Sequence, residues 1–258
     1  MKVSELKSKP RHICIYGEVG CGKTALALTL GERAIVLDLD EGLLTGISLK
    51  DSFRDARMAV TVKQFLESEP QIRATVFPRV KSYIYGIPRD IKSGNFPYDA
   101  LIIDSLSAFA DSAVQMVMAN SGNIGKNPEI QHWGLAFTEI KNVLNVVRTF
   151  PIVVVLIAHE QIKLIGKPPN QDMRLELAIP GKNLPSQVAR YYDELWYLRT
   201  RQVGQGKIQR VLQTSSTEAI AARSRSCLPN LTDTACGMWK LLEMTGYKVP
   251  EKETVNVE

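Results

Sequence analysis

Apolar positions along the chain gather into short runs separated by turn residues. Five of these runs, at 13–16, 34–38, 75–80, 100–104 and 152–158, are mainly apolar without strict alternation, although 75–80 includes Pro78 and Arg79 and two of the others end in Asp. Unbroken Val/Ile/Leu runs are the pattern of strands covered on both faces. The stretches 23–31, 51–68, 107–120 and 131–149 between them predict helices. Strand and helix in alternation call for βαβ units, and so for an α/β fold with a doubly wound, mainly parallel sheet flanked by helices. Ligands bind such sheets beyond the carboxyl ends of the strands.

After residue 158 the pattern changes. Residues 162–185 mix Gly, Pro, Asn and Asp, including Gly166-Lys167-Pro168-Pro169-Asn170, and predict a long exposed loop. The runs 194–199 and 208–213 then flank Gly204-Gln205-Gly206, a hairpin signature that adds an antiparallel C-terminal extension to the sheet. The acidic stretch 251–258 predicts a disordered tail. No linker interrupts the chain, so one domain is expected over 11–247, with an N-terminal extension at 1–10 and the tail at 248–258.

At 258 residues and 45% hydrophobic content the chain buries a full core. No apolar stretch reaches the roughly 20 residues of a membrane helix, and the N-terminus lacks a signal-peptide apolar region. A cytoplasmic protein with no membrane partner is expected. The four cysteines, Cys14, Cys21, Cys227 and Cys236, form no C-x-x-C pair and read as free thiols. The net charge of +5 is unevenly spread: residues 161–225 hold eleven Lys/Arg against five acids. An excess of that kind suggests a polyanion partner, although a solvated surface or a neighbouring subunit's nucleotide would also absorb it.

The most specific chemistry lies at Gly17-Glu18-Val19-Gly20-Cys21-Gly22-Lys23-Thr24, which completes the phosphate-binding pattern G-x-x-x-x-G-K-[ST]. A strand enters it and a helix opening at Ala25 leaves it, the setting in which backbone N–H groups converge on an anion. Lys23 would meet the β- and γ-phosphates of ATP and Thr24 would place its hydroxyl on Mg²⁺, while Cys21 reads as a small residue the loop tolerates. Asp104 ends an apolar strand where a carboxylate holds Mg²⁺ or its waters, although it or Ser105 would also cap the following helix. Asp38, Asp40 and Glu41 cluster after the second strand. Hydrolysis needs a carboxylate to orient the attacking water, which makes Asp40 or Glu41 the candidate and leaves Asp38 a structural part. His159, after another core strand, is placed to sense the γ-phosphate.

Together, the phosphate loop, the carboxylate after the second strand, Leu101-Ile102-Ile103-Asp104-Ser105, and Leu156-Ile157-Ala158-His159 followed by a loop resemble the RecA-type ATPase core. Within that group the chain looks most like phage-encoded recombination ATPases of the Sak single-strand annealing type, over about residues 11–226. The resemblance implies that the catalytic carboxylate falls at Asp40, with Asp standing where the family has Glu, and that Glu41 is one residue later. It implies a polar sensor at His159 and a DNA-binding loop at 161–180, with DNA-contacting cations at Lys163, Lys167 and Arg174 in the loop and at Lys182 just beyond it. Ala222-Arg223-Ser224-Arg225 resembles the basic finger that such proteins extend into the ATP site of an adjacent subunit.

These observations predict a Mg²⁺-dependent ATPase that forms a homo-oligomer and binds single-stranded DNA, with a single-strand DNA-binding protein as a further candidate partner. Two rivals stay open: a KaiC-like assembly protein without nucleic acid, and a P-loop kinase for a small molecule.

Overall fold

The computed structural model describes residues 11–68, 73–167, 170–181, 184–204, 206–226 and 228–250. In chain order the elements are β1 (His12–Gly17), α1 (Lys23–Ala27), a 3₁₀ turn (Leu28–Arg33), β2 (Ala34–Asp38), α2 (Leu43–Ile47), α3 (Arg54–Met58), β3 (Thr61–Gln64), α4 (Val76–Lys92) and β4 (Ala100–Asp104). There follow α5 (Leu106–Asn120), α6 (Ile130–Val147), β5 (Val153–Lys167), β6 (Asn170–Leu177), α7 (Leu184–Val188), β7 (Glu194–Gln202), β8 (Ile208–Gln213), β9 (Arg223–Ser224), β10 (Thr232–Asp233) and α8 (Gly237–Met244).

The main path of the sheet runs β10-β8-β7-β1-β5-β4-β2-β3, with β6 paired to β5 and β9 to β7. From β7 to β3 every pairing is parallel, while β8 and β10 add the antiparallel edge. This is the expected doubly wound, mainly parallel α/β sheet with its C-terminal antiparallel extension. Successive residues of β1 point to opposite faces, and each face has its own apolar layer. Cys14 and Tyr16 join Phe77, Phe109 and Ile140 of α4, α5 and α6, whereas Ile13 and Ile15 join Leu26 and Leu241 of α1 and α8. Burial on both faces explains why these strands lack alternation.

Three expectations are corrected. Residues 75–80 are not a strand but the first turns of α4: Val76, Phe77, Val80, Ile84 and Ile87 are all buried at helical spacing. Residues 51–68 are not one helix; α3 ends at Met58, and the short, polar, exposed edge strand β3 follows it and pairs with β2. Residues 162–185 are not a long loop. β5 continues through Lys167 and turns back as β6, pairing from Glu160↔Leu177 to Lys167↔Asn170. Period-two alternation along 160–167 and 170–177 builds the arms of the hairpin, with Gly166 paired inside β5, while Pro168 and Pro169 lie outside the described residues.

Candidate nucleotide site

β1 delivers the chain into the phosphate loop at a point with no room for a side chain, since a Cβ on Gly17 would lie 2.2 Å from the Leu198 carbonyl oxygen. Gly22, at φ 99°, turns the loop into α1 through the left-handed region that favours glycine. Glu18, Val19 and Gly20 are exposed between them. Cys21 is buried, and burial pushes its thiol up, consistent with a small loop residue rather than a reactive one. Lys23 is 5% exposed, and its Nζ donates to the carbonyls of Gly17 and Glu18 at 2.8 Å each. The ammonium is thus held inside the loop whose N–H groups would face an anion.

Thr24 and Asp104 meet across the end of the sheet, where the Thr24 hydroxyl donates to Asp104 Oδ2 at 2.7 Å. Burial of Asp104 is the main cause that raises its carboxyl to about 6; Asp40 and Asp38 add to the rise, and the Thr24 hydrogen bond and Lys23 oppose it. A hydroxyl beside a carboxylate is a hard oxygen set that fits Mg²⁺, which takes few protein ligands and completes its shell with phosphates and water. Among the described residues no group of three or more His, Cys, Asp or Glu could cage a metal.

The carboxylates after β2 separate by environment. Asp38 is 1% exposed and accepts from the Glu41 N–H at 3.0 Å and from Gln64 Nε2 of β3 at 3.1 Å, which ties it to the neighbouring strand and the turn after β2. Glu41 is exposed and sits at φ 60°. Asp40 Oδ2 lies 3.4 Å from His159 Nε2, and that hydrogen bond, assisted by one from Ser105, holds its carboxyl below the usual range against the opposing effect of burial. The two expected partners of the γ-phosphate therefore stand side by side. His159 is level with Gly17 in the β1–β5 register, and its Nδ1 is buried with no hydrogen-bond partner among the described residues.

Arg223 and Arg225 diverge. Arg223 donates to the Tyr192 carbonyl and lines a pocket beneath the β5–β6 hairpin. Arg225 has its backbone N–H on the buried carboxylate of Glu194, pairs with Asp193 at 3.3 Å, and leaves 53% of its side chain exposed. Glu194 is level with Ile13, so about 13 Å of strand separates this position from the phosphate loop of its own chain. Of the hairpin cations, Lys163 pairs with Glu176 at 3.1 Å, Arg174 lies opposite Lys163, and Lys167 is exposed at the end of β5. Lys182 lies outside the described residues.

One residue of the site carries no local signal in the sequence. Arg210 of β8 donates from Nε to the Cys21 carbonyl at 3.1 Å, and it fills the space beside Gly22, where a Cβ would come within 2.7 Å of it. Beside it opens a cavity of about 640 Å³ between α1, residues 49–57 and the β7–β8 turn, lined in part by Ala25, Asp51, Phe53 and Lys207.

A profile of the AAA domain matches residues 9–226, most of the chain and the whole of this site. The chain belongs to the AAA domain family. It is an ATP-hydrolysing P-loop NTPase. A search of curated proteins finds no significant match. Among solved structures, the flagellar accessory protein FlaH from Methanocaldococcus jannaschii is similar at 12% identity, over 80% of this chain and 77% of that one, with a TM-score of 0.41. An ATPase from the type III secretion system of pathogenic bacteria is similar at 15% identity and a TM-score of 0.46, over 74% of this chain and 52% of that one. The fold assignment rests on the strand order and the family match rather than on these two likenesses. Among the described residues no helix is long and apolar enough to cross a membrane.

Proposed function

We propose that this AAA domain is a Mg²⁺-dependent ATPase that works as a homo-oligomer on single-stranded DNA, in recombination or strand annealing of the phage type. The observation that carries the reading is the continuity of β5, which runs from His159, beside Asp40 and level with the phosphate loop, directly into the cation-bearing hairpin. A change felt at the γ-phosphate would reach Lys163, Lys167 and Arg174 along one strand.

In this reading Lys23 leaves the Gly17 and Glu18 carbonyls for the β- and γ-phosphates, and the loop N–H groups of residues 18–25 cradle the rest. Thr24 and Asp104 would hold Mg²⁺, which when bound neutralises charge on the transferring phosphoryl group. Asp40 orients the attacking water, with His159 fixing its carboxylate. The base and ribose occupy the cavity beside Arg210. Arg225 acts across a subunit boundary, since the length of β7 keeps it from its own phosphate loop.

Binding of a labelled oligonucleotide with and without a non-hydrolysable ATP analogue tests the reading. Nucleotide-dependent, sequence-independent affinity that falls with salt supports it, because cations on a hairpin meet phosphates rather than base edges. No binding near 50 mM salt would favour an assembly protein, which the uneven charge disfavours only weakly.

A further inference from the structure

On the face of the sheet opposite α1, the β5–β6 hairpin and the segment leading into β9 enclose a pocket of about 310 Å³, lined in part by Tyr16, Lys163, Arg174, Glu176 and Arg223. Strand register sets Lys163 directly across from Arg174. Like charges so placed have Cβ atoms roughly 5 Å apart and destabilise a hairpin unless an anion offsets them. Glu176 offsets one of them, through its 3.1 Å ion pair with Lys163. Arg174 forms no ion pair or hydrogen bond with a described residue. Arg223 brings a third cation into the same pocket, where burial and the charge of Arg225 weigh against its own charge. Lys163, Arg174, Arg223 and Glu176 line the pocket, with Asp193 and Glu194 also attracting Arg223, in a space that holds a phosphate and several waters.

The pocket is also built into the sheet. Its Tyr16 is the residue before Gly17, and the Tyr16 hydroxyl donates to the Ala221 carbonyl and lies 3.4 Å from that of Leu175, so both walls meet the strand that carries the phosphate loop. The opposite face of the hairpin carries Ile162, Leu164 and Met173, so the polar face is the one turned to the pocket.

We propose that this pocket is a second phosphate site, in which Arg174, Arg223 and Lys163 receive one phosphate group, either free or within a nucleic-acid backbone. Guanidinium forks match phosphate oxygens two at a time, which favours this anion over a point charge. With a backbone phosphate the proposal deepens the DNA reading above; with a free phosphate it stands without that reading.

The test first fills the phosphate loop with Mg²⁺ and a non-hydrolysable ATP analogue, so that added phosphate cannot enter there. Inorganic phosphate is then titrated by calorimetry, and a labelled oligothymidylate by fluorescence anisotropy. Saturable phosphate binding at one site is expected, weakened about tenfold or more in both R174Q and R223Q. R223Q also loses its bond to the Tyr192 carbonyl, so R174Q, whose side chain makes no hydrogen bond or ion pair with a described residue, is the decisive variant. If phosphate and oligonucleotide affinities fall together in R174Q, the phosphate belongs to nucleic acid. If phosphate affinity falls while oligonucleotide binding is unchanged or absent, the site takes free phosphate, and in the absent case the DNA reading fails while the site stands. No saturable phosphate binding, or binding as tight in R174Q as in the wild type, overturns the proposal.

Discussion

Thr24 and Asp104, 80 residues apart in the chain, share a 2.7 Å hydrogen bond at the mouth of the phosphate loop. The bond holds a hydroxyl and a carboxylate together where hard oxygen ligands are needed, and it partly offsets the cost of burying Asp104. Asp104→Ala is therefore expected to lose Mg²⁺-dependent hydrolysis while keeping most of its affinity for nucleotide. Lys23→Ala should lose both, by roughly 100-fold or more in hydrolysis, because the loop loses its only point charge on the phosphates. Turnover and fluorescent-nucleotide affinity, measured side by side, separate the two patterns. Wild-type turnover in Lys23→Ala would remove the basis of the nucleotide site.

Between Asp40 and Glu41, the geometry favours Asp40, which hydrogen-bonds to His159, over the exposed Glu41. Asp40→Asn should reduce turnover by about 100-fold with nucleotide affinity unchanged, the mark of a group that acts only in the transition state. Glu41→Gln should stay within about twofold of wild type. The reverse ranking would move the catalytic role one residue along the chain.

Arg210 ties the β7–β8 hairpin to the back of the phosphate loop through the Cys21 carbonyl. Arg210→Ala should raise KM for ATP about tenfold with a smaller change in kcat, since the loop and the adjoining cavity lose their support before any chemistry occurs. Arg210→Lys, which lacks the planar guanidinium, should recover only part of the loss. An unchanged KM in Arg210→Ala would reduce this contact to packing.

The site was legible in the sequence wherever it is local. Lys23 and Thr24 belong to one motif, and β2 and β4 fall on their expected bounds because their apolar runs are covered on both faces. Asp40 and His159 could each be assigned from a place at the end of a strand, but not their contact, which joins positions 119 residues apart. Arg210 gave no signal, for its partner is 189 residues away and a single arginine in a polar strand resembles a solvated edge. The hairpin was hidden because its turn residues outweighed the alternation around them. α4 was misread because Val76, Phe77 and Val80 alone satisfy either period, and only Ile84 and Ile87 decide for the helix.

His12 gives the fold a pH dependence of known sign. It is 6% exposed, with Nε2 facing the Phe150 carbonyl at 3.3 Å. Burial outweighs the attraction of Asp193 and lowers its pKa below 6.5. The unfolded chain takes up this proton near 6.5 while the folded chain resists it, so the stability that neutral His12 confers is present above about 6.5 and is lost as pH falls below it. The slope is at most about 1.4 kcal/mol per pH unit. Urea midpoints at pH 7.5 and 5.5 should fall more for wild type than for His12→Gln. Equal falls would place the acid sensitivity in other groups.

The final prediction concerns Arg225. The buried carboxylate of Glu194 holds the Arg225 and Ser226 backbone N–H groups at 3.2 and 3.1 Å, so the turn is anchored while the guanidinium projects with half its side chain exposed. An anchored, exposed cation about 13 Å of strand away from its own phosphate loop suits a partner's site better than its own. If it acts there, Arg225→Ala should bind ATP normally and hydrolyse it slowly. Mixing it with Lys23→Ala should then restore turnover, because some interfaces would join the intact loop of one chain to the intact arginine of the other. Activity regained only on mixing cannot come from either variant alone or from a basic surface patch. Normal hydrolysis by Arg225→Ala, or full wild-type turnover at dilutions where sedimentation shows only monomer, would return this arginine to an ordinary surface role.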